Sequence, residues 1–152
     1  MDKIAHTIQP ATWHDLGQLR QLEQECFGED AWPLLDIIGV LAMPGVIRLK
    51  AVSGDQMVGF VSGDPRSGEG VGWITSLGVR KAYRRQGIAQ GLLEICEEQI
   101  GMRRVRLCVR RDNEPAIKLY EQNGYRMVDI WSNYYRPGSD ALVLEKERLT
   151  FK

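Results

Sequence analysis

The fold is decided by residues 71–90, VGWITSLGVRKAYRRQGIAQ. The apolar run 73–79, rich in β-branched and aromatic side chains, predicts a buried strand. Six residues follow, four of them basic, and a helix is predicted to begin at residues 86–89. The first N–H groups of a helix have no partner inside it and lie at the positive end of the helix dipole. This order of strand, cationic turn and helix therefore predicts a site for an anion such as a diphosphate.

Four residues of this turn favour a phosphate ligand. Gly87 and Ala89 carry little or no side chain, so a ligand can approach the backbone, and Arg84 and Arg85 can add charge-assisted hydrogen bonds. The turn is not a Walker A loop, because no Gly-Lys-Ser/Thr follows, and not a Rossmann turn, because it lacks a second G-x-x-G. The alternative is a plain strand-to-helix connection with a solvated arginine face.

Length and charge limit the partners of the chain. The 152 residues predict a single domain, residues 1–152. The 20 basic and 20 acidic side chains cancel, which argues against nucleic-acid or membrane binding. Residues 80–111 nevertheless hold nine Lys or Arg and three Glu, and leave the remainder with a net charge of −6. This asymmetry predicts an anionic cofactor and a cationic substrate, unless the arginines form only a solvated face.

The cysteines and histidines do not form a metal-binding pattern. Cys26, Cys96 and Cys108 are an odd number without ligand spacing, and His6 and His14 are the two histidines, so we expect reduced thiols and no metal. The N-terminus lacks an apolar core of the signal-peptide type, and no apolar run approaches 18 residues. These features predict a cytoplasmic protein.

The remaining sequence predicts alternating strands and helices. Pattern and turn residues place strands at 3–9, 46–52, 57–63, 73–79, 104–109, 125–131 and 141–147, and helices from Thr12 to Gly28, at 34–42, from Gly87 to Gly101 and at 114–123. A helix lies between the fourth and fifth strands, so these two should be parallel in a mixed α/β sheet. Gly78 indicates a bulge or a close approach of a ligand to the fourth strand.

Three segments together resemble one family. Arg84-x-x-Gly87-x-Ala89 matches the acyl-CoA signature of the GNAT superfamily of N-acetyltransferases. Residues 109–125, VRRDNEPAIKLYEQNGY, resemble its V-R-x-x-N-x-x-A-x-x-L-Y-x-x-x-G-F/Y segment. Residues 133–141, NYYRPGSDA, are similar to the N-Y-Y-x-x-G-E-D-A segment of the protein N-terminal branch, which includes ribosomal-protein-alanine acetyltransferases. The resemblance implies the GNAT fold: about seven strands, about four helices, and splayed parallel strands 4 and 5.

The resemblance also implies a reaction and a set of site residues. The reaction is transfer of acetyl from acetyl-CoA to an amine by direct attack in a ternary complex. Tyr120 would be the acid that protonates the leaving thiolate. The residues implied to bind acetyl-CoA are Leu77, Val79, Arg84, Arg85, Gln86, Gly87, Ile88, Ala89 and Asn113, with Lys118 as a further phosphate contact.

The general base departs from the family pattern. An α-amine has a pKa near 8, so part of it must lose a proton before it attacks a thioester. Relatives carry Glu or His where this chain has Cys108, and a thiol on a strand is more often an inert small hydrophobe. Glu29, Asp30 and Glu69 are candidates that could act through water. The base therefore stays open at this point.

Three aromatic residues are predicted to contact the acceptor. Trp32 lies between the first two helices, and Tyr134 and Tyr135 lie in the predicted loop 133–140, where peptide-acetylating relatives hold their substrate. Packing alone is the alternative for all three. The predicted acceptor is the α-amine of a protein or peptide. A small amine, such as a polyamine, amino acid or antibiotic, is the first alternative, and a non-catalytic acyl-CoA sensor the second. Monomer and homodimer both stay open.

Overall fold

The computed structural model describes residues 5–65, 70–135 and 138–148, which form seven strands and four α-helices. The strands are β1 (Thr7–Pro10), β2 (Ile47–Ser53), β3 (Gln56–Asp64), β4 (Val71–Val79), β5 (Arg104–Arg110), β6 (Arg126–Tyr135) and β7 (Ser139–Glu147). The helices are α1 (Leu16–Phe27), α2 (Leu34–Ala42), α3 (Ile88–Ile100) and α4 (Glu114–Gln122). None of the helices in these ranges has the length and apolarity that crossing a lipid bilayer requires.

The strands form one mixed sheet in the order β1-β2-β3-β4-β5-β7-β6. Neighbouring strands are antiparallel except for β4 and β5, which are parallel and are joined through α3. Helix α3 and Tyr120 of α4 pack with the apolar side chains of one face, and α1 and α2 enclose Met57 and Phe60 on the other. The predicted α/β class and mixed seven-stranded sheet are confirmed.

The parallel pair separates along its length. Strands β4 and β5 pair only at Val71, Gly72 and Trp73, opposite residues 104–106. Beyond these positions β4 continues to Val79 and β5 continues to Arg110, but the two strands no longer pair with each other. The predicted splay of strands 4 and 5 is therefore confirmed, and it leaves an opening in the middle of the sheet.

Helix α3 lies so close to the sheet that two strand positions require glycine. A Cβ atom on Gly72 would lie 2.2 Å from Cγ2 of Ile100, and one on Gly63 would lie 2.7 Å from Sγ of Cys96. Both distances are shorter than real Cβ contacts allow, so any larger side chain must push α3 away from the sheet.

Replacing Gly72 by Ala should therefore lower the free energy of unfolding by about 3 kcal/mol, because the core has no room for the added carbon. Urea denaturation followed by circular dichroism measures this loss. Gly17→Ala is the matched control: Gly17 lies in α1 with nothing within 4 Å of its Cβ position, so the change should stabilise by up to about 1 kcal/mol. Equal effects at both positions would contradict the close packing of α3.

Several predicted details are wrong. The bulge of the fourth strand is at Thr75, because Ser62 pairs with Ser76 whereas Gly63 pairs with Ile74. Gly78 pairs regularly, and its missing side chain makes room for Cys26 of α1, whose Sγ would lie 3.1 Å from a Cβ there. The other interpretation of Gly78, a close approach of a ligand, stays a prediction. The fourth strand also begins earlier than predicted, at residue 71.

The first and sixth strands also differ from their predicted bounds. Strand β1 covers Thr7–Pro10, and part of the predicted strand 3–9 lies outside the described residues. Strand β6 extends to Tyr135 instead of ending at residue 131, so Tyr134 and Tyr135 belong to a strand and not to a loop. An irregularity at Asn133, with φ of 54°, interrupts the pairing with β7 and allows β6 to continue.

Candidate active site

Two cavities meet in the opening between β4 and β5. The larger has a volume of about 700 Å³ and lies between the start of α3 and α4. The smaller has a volume of about 190 Å³ and lies between α1 and β5. Six residues line both cavities and mark the junction: Cys26, Phe27, Leu77, Asn113, Ala116 and Tyr120. Two ligands, one in each cavity, can therefore meet through the sheet.

The larger cavity collects most of the residues predicted to bind acetyl-CoA. The predicted residues that line it are Leu77, Val79, Arg84, Arg85, Gly87, Ile88, Ala89 and Asn113. Lys118 lines it as well. Gln86 is predicted to bind but is not among the lining residues. The turn before α3 and the end of β4 thus contribute to one surface.

The turn before α3 has a backbone shape suited to an anion. Arg85 has φ of 64° and Gly87, the N-cap of α3, has φ of 81°, so two left-handed residues flank Gln86. Alternation between left- and right-handed residues directs successive N–H groups towards one side, which makes a concave site for an anion. The helix dipole of α3 adds positive potential at the same place. The turn therefore fits the diphosphate of an acyl-CoA.

The end of β4 offers backbone groups to a ligand. The N–H of Arg80 donates to the carbonyl of Val58 at 2.8 Å, and hydrogen-bonded pairs alternate with non-bonded pairs in an antiparallel ladder. The backbone groups of Leu77 and Val79 consequently face away from β3, towards the opening where β5 no longer pairs. This edge suits a ligand that carries amides, such as a pantetheine arm.

Arg84 differs from the predicted role of a direct phosphate donor. Its Nε donates to the Val79 carbonyl at 2.8 Å, and its Nη2 lies 3.9 Å from Sγ of Cys26. The guanidinium thus ties the turn to the end of β4 and to α1. The Val79 carbonyl is already engaged, which leaves the N–H of Val79 as the group available for a ligand.

Asn113 and Tyr120 line both cavities, and their roles in binding and protonation stay predictions. The Oδ1 of Asn113 accepts from the N–H of Ala116 at 3.3 Å and caps α4, so its amide nitrogen can still donate to a ligand. Tyr120 is only 7% exposed and packs edge-on against Tyr125, with ring centroids 5.8 Å apart. Burial raises the pKa of the Tyr120 phenol, which therefore keeps its proton at neutral pH.

Glu23 lines the smaller cavity and was missed in the sequence. The side chain is 2% exposed; its Oε1 accepts from the N–H of Trp32 at 3.3 Å and its Oε2 from the Ser76 hydroxyl at 3.1 Å. Burial raises the pKa of Glu23, and these two hydrogen bonds only partly oppose the rise. A buried carboxyl with a raised pKa inside a cavity is typical of a general base.

The base candidates named from the sequence fit less well. Asp30 lines the smaller cavity but forms an ion pair with Arg110 at 2.7 Å, which engages its carboxylate. Glu29 is exposed, and Glu69 lies outside the described residues. Cys108 lines the cavity, but burial raises its pKa to about 11, so its thiol stays protonated and does not accept a proton at neutral pH.

The predicted acceptor-binding aromatics are divided between cavity and surface. Trp32 and Tyr135 line the smaller cavity, and Trp32 also packs against the apolar side chains around α1 and α2. Tyr134 is not a lining residue: it is 56% exposed, and its ring lies 5.0 Å from that of Tyr135. The guanidinium of Arg110 lies over the Tyr135 ring at 5.7 Å and holds it at the cavity wall.

Residues 13–125 match the profile of the Acetyltransferase (GNAT) family. The chain therefore belongs to this family and is an N-acetyltransferase. The resemblance of the three sequence segments is thus confirmed.

Relatives of the chain indicate a branch of the family. It is 32% identical to the N-alpha-acetyltransferase RimI of Mycobacterium tuberculosis, across 93% of this chain and 92% of that protein. It is 30% identical to the catalytic subunit NAA10 of the N-terminal acetyltransferase A complex of Arabidopsis thaliana, across 91% and 76%. Its fold matches the ribosomal-protein-S18-alanine N-acetyltransferase of Escherichia coli with a TM-score of 0.84, at 23% identity and 96% coverage of both chains.

The Gly87→Ala variant tests the turn before α3. A side chain disfavours φ of 81° and occupies the space before the first N–H groups of α3, so acetyl-CoA should bind about tenfold more weakly. Isothermal titration with acetyl-CoA measures this. Gly101→Ala at the other end of α3, with φ of 67°, should lose similar stability and keep the wild-type affinity. If both variants bind acetyl-CoA like the wild type, the turn does not hold the diphosphate.

Proposed function

We propose that residues 1–152 form a single N-acetyltransferase domain that acetylates the α-amine of a protein or peptide N-terminus, by direct attack in a ternary complex. The observation that carries this proposal is the meeting of two cavities at Tyr120, with buried Glu23 in the wall of the smaller one. In this arrangement the donor occupies the larger cavity and the acceptor amine enters the smaller one.

The larger cavity would hold acetyl-CoA through backbone groups. The turn before α3 supplies N–H groups for the diphosphate, and the edge of β4 at Leu77 and Val79 supplies partners for the pantetheine arm. The amide nitrogen of Asn113 can donate at the junction. Bound there, acetyl-CoA supplies a thioester carbonyl that an amine can attack. Asn113 and Tyr120, which line both cavities, would lie near that thioester.

Glu23 would remove the proton from the acceptor ammonium. Burial raises its pKa towards that of an amine, which makes the proton transfer less unfavourable than it is to an ordinary carboxylate. The Trp32 N–H and the Ser76 hydroxyl hold the carboxylate in place. The proton can pass directly or through one water molecule, since both Glu23 and the junction residues line the same cavity.

Tyr120 would supply a proton at the leaving sulfur. Its phenol lines both cavities, and burial raises its pKa, so it is present in the protonated form when the thiolate departs. A group that is always protonated at neutral pH can donate without a pH-dependent loss of activity in that range.

The acceptor class is inferred from the smaller cavity and from relatives. Tyr135 lies at one wall and the ring of Tyr134 lies just beyond it, so the cavity continues onto an exposed surface that a polypeptide can follow. The relative from Mycobacterium tuberculosis is an N-alpha-acetyltransferase, and the Arabidopsis NAA10 is a subunit of an N-terminal acetyltransferase complex. A small amine bound in the cavity would be too short to contact this surface.

Release of free CoA thiol from acetyl-CoA tests the proposal. The wild-type protein is assayed against short peptides that differ in their first residue and against polyamines, amino acids and aminoglycosides. We expect turnover on at least one class of peptide and none on the small amines. Turnover on small amines alone would replace the proposed acceptor, and acetyl-CoA binding without turnover on either panel would favour a sensor.

A further inference from the structure

Four aromatic rings form a row that begins at the smaller cavity. Tyr135 lines the cavity, and its ring centroid lies 5.0 Å from that of Tyr134. Tyr134 lies 5.4 Å from Trp131, and Trp131 stacks on Trp73 at 6.0 Å with an interplanar angle of 30°. We call these four residues the aromatic row. Together, the three steps correspond to about five residues of extended chain.

The strand register places Trp73, Trp131 and Tyr135 on the face of the sheet where the cavity opens, and Tyr134 joins them through its ring contacts with Trp131 and Tyr135. Trp73 lies beside Arg106 of β5, and Trp131 lies beside Ala141 of β7, whose partner on the other side is Arg110. Alternate residues of a strand share a face, so Arg106 and Arg110 are on the same face as Cys108, which lines the cavity. The row therefore crosses from the cavity over β6 and β7 to the parallel part of β4.

The row is accessible and has charged side chains beside it. Tyr134 is 56% exposed, and Trp73, Trp131 and Tyr135 are half-buried. Helix α1 packs against β3 and β4, whereas the row continues towards β6. The Arg106–Glu145 ion pair, at 2.6 Å, flanks it and cancels its own charge. The Nε1–H of Trp131 donates to the carboxylate of Asp129 at 3.2 Å, so an acidic group also lies beside the row. Such a surface offers flat rings with polar edges, which suits an extended polypeptide.

We propose that the aromatic row binds the stretch of the acceptor polypeptide that follows its N-terminal residues. The inference rests on the proposed function, because the occupant is the continuation of a chain whose first residue lies in the smaller cavity. Tyr135 belongs to both surfaces, so a peptide leaving the cavity meets Tyr134 next and then the two tryptophans. The row makes the enzyme select for long acceptors over very short ones, and side chains along the first residues strengthen binding.

A second copy of the chain is the competing occupant. Strand β6 is an edge of the sheet and exposes Met127, Val128 and Ile130 at 40 to 55% of their surface. Edge strands with apolar side chains can pair with another copy. The row differs from this edge, because it lies on a face of the sheet and is continuous with the cavity. Light scattering separates the two: a dimer that Trp131→Ala dissociates would assign the row to a second copy and overturn the proposal.

The experiment compares acceptor length. Peptides of four residues, starting with Ala, Ser, Gly or Met, are compared with twelve-residue versions extended by bulky side chains or by Gly and Ser alone. For the wild type we expect kcat/KM to be about tenfold higher with the bulky extension than with the four-residue peptide, mainly through KM. The Gly and Ser extension should give little of this gain. Equal kcat/KM for all three peptides would overturn the proposal without the need for any variant.

Variants assign the gain to the row. Trp131→Ala and Trp73→Ala should each reduce the ratio of the long to the short peptide towards 1, and Trp131→Phe should keep most of it. Trp13→Ala is the control, since Trp13 is 69% exposed, stacks on His14 and lies outside the row, so its ratio should equal that of the wild type. Retention of the wild-type ratio in both row variants would overturn the proposal.

A binding measurement separates this inference from the proposed function. Fluorescence polarisation of a labelled twelve-residue peptide, already acetylated at its N-terminus, reports binding without turnover. Binding that Trp131→Ala weakens, with no acetylation of any peptide, would support the row and reject the proposed function. Acetylation of short and long peptides with equal efficiency, without a change in polarisation, would support the proposed function and reject the binding role of the row. If neither acetylation nor a polarisation change is seen, both the proposed function and the binding role of the row are rejected.

Discussion

Replacement of Glu23 by Gln is expected to lower kcat by about 10²- to 10⁴-fold, which is the usual contribution of a general base. Glutamine has nearly the same shape, its oxygen can accept from the Trp32 N–H, and its amide can donate to the Ser76 hydroxyl. The cavity should therefore keep its form while it loses the group that accepts a proton. CoA release at saturating acetyl-CoA and peptide measures the effect.

The pH profile adds a second readout for Glu23. The base acts when ionised, so wild-type kcat/KM should rise with pH through the raised pKa of Glu23, and the variant should lack this limb. Glu98→Gln is the control, because Glu98 is exposed on α3 away from both cavities, and it should keep rate and profile. Wild-type kcat and an unchanged profile in Glu23→Gln would remove Glu23 from the reaction.

Glu23 should also cost the protein stability at neutral pH. Burial raises its pKa in the folded state above the ordinary glutamate value of 4.5, so the folded protein binds this proton more tightly than the unfolded chain. The resulting stability is fully present below pH 4.5 and is lost as the pH rises through the folded-state pKa. Thermal unfolding at pH 7 should accordingly show Glu23→Gln to be at least as stable as the wild type. A large fall in Tm would instead indicate a structural role.

Replacement of Tyr120 by Phe is expected to lower kcat by about 10²-fold with little change in acetyl-CoA affinity, because only the hydroxyl that protonates the leaving sulfur is removed. The ring keeps its edge-on contact with Tyr125. Steady-state kinetics and isothermal titration with acetyl-CoA measure the two quantities. Wild-type kcat would mean that Tyr120 serves packing alone.

Tyr125→Phe provides the matched control for Tyr120. The Tyr125 hydroxyl donates to Oε2 of buried Glu97 at 2.6 Å, and Lys146 Nζ lies 3.0 Å from the other oxygen of that carboxylate. Loss of this hydrogen bond should lower the free energy of unfolding by about 2 kcal/mol. Because Tyr125 lines neither cavity, kcat should stay at the wild-type value. We therefore expect Tyr120→Phe to lower the rate and Tyr125→Phe to lower the stability.

The donor side of the site could be predicted from the sequence because its signal is local. The turn that carries Arg85 and Gly87 depends on residues adjacent in the chain, and spacing alone identifies it. The role of Asn113 as N-cap of α4 also depends only on residues close in the chain, and the structure confirms it. Arg84 could not be placed in the same way, because its hydrogen bond to the Val79 carbonyl depends on how the turn folds back onto β4.

The acceptor side depends on contacts between distant segments. Glu23 follows Leu22 within the apolar stripe of α1, and its position there predicted packing, although a carboxyl on a buried face is itself an indication of function. The partners of Glu23, Trp32 and Ser76, come from a link between helices and from β4. The aromatic row likewise joins Trp73 to Trp131, which are 58 positions apart in the sequence and meet only because β7 pairs with β5 and β6 pairs with β7.

The most direct test of the account locates the acetyl group on a peptide that carries both an N-terminal α-amine and an internal lysine. The peptide is incubated with acetyl-CoA and the wild-type protein, and fragmentation mass spectrometry assigns the modified nitrogen. We expect acetyl on the α-amine and none on the lysine, with loss of the product in Glu23→Gln. Acetyl on the lysine side chain, or acetylation of polyamines while the peptide stays unmodified, would contradict it.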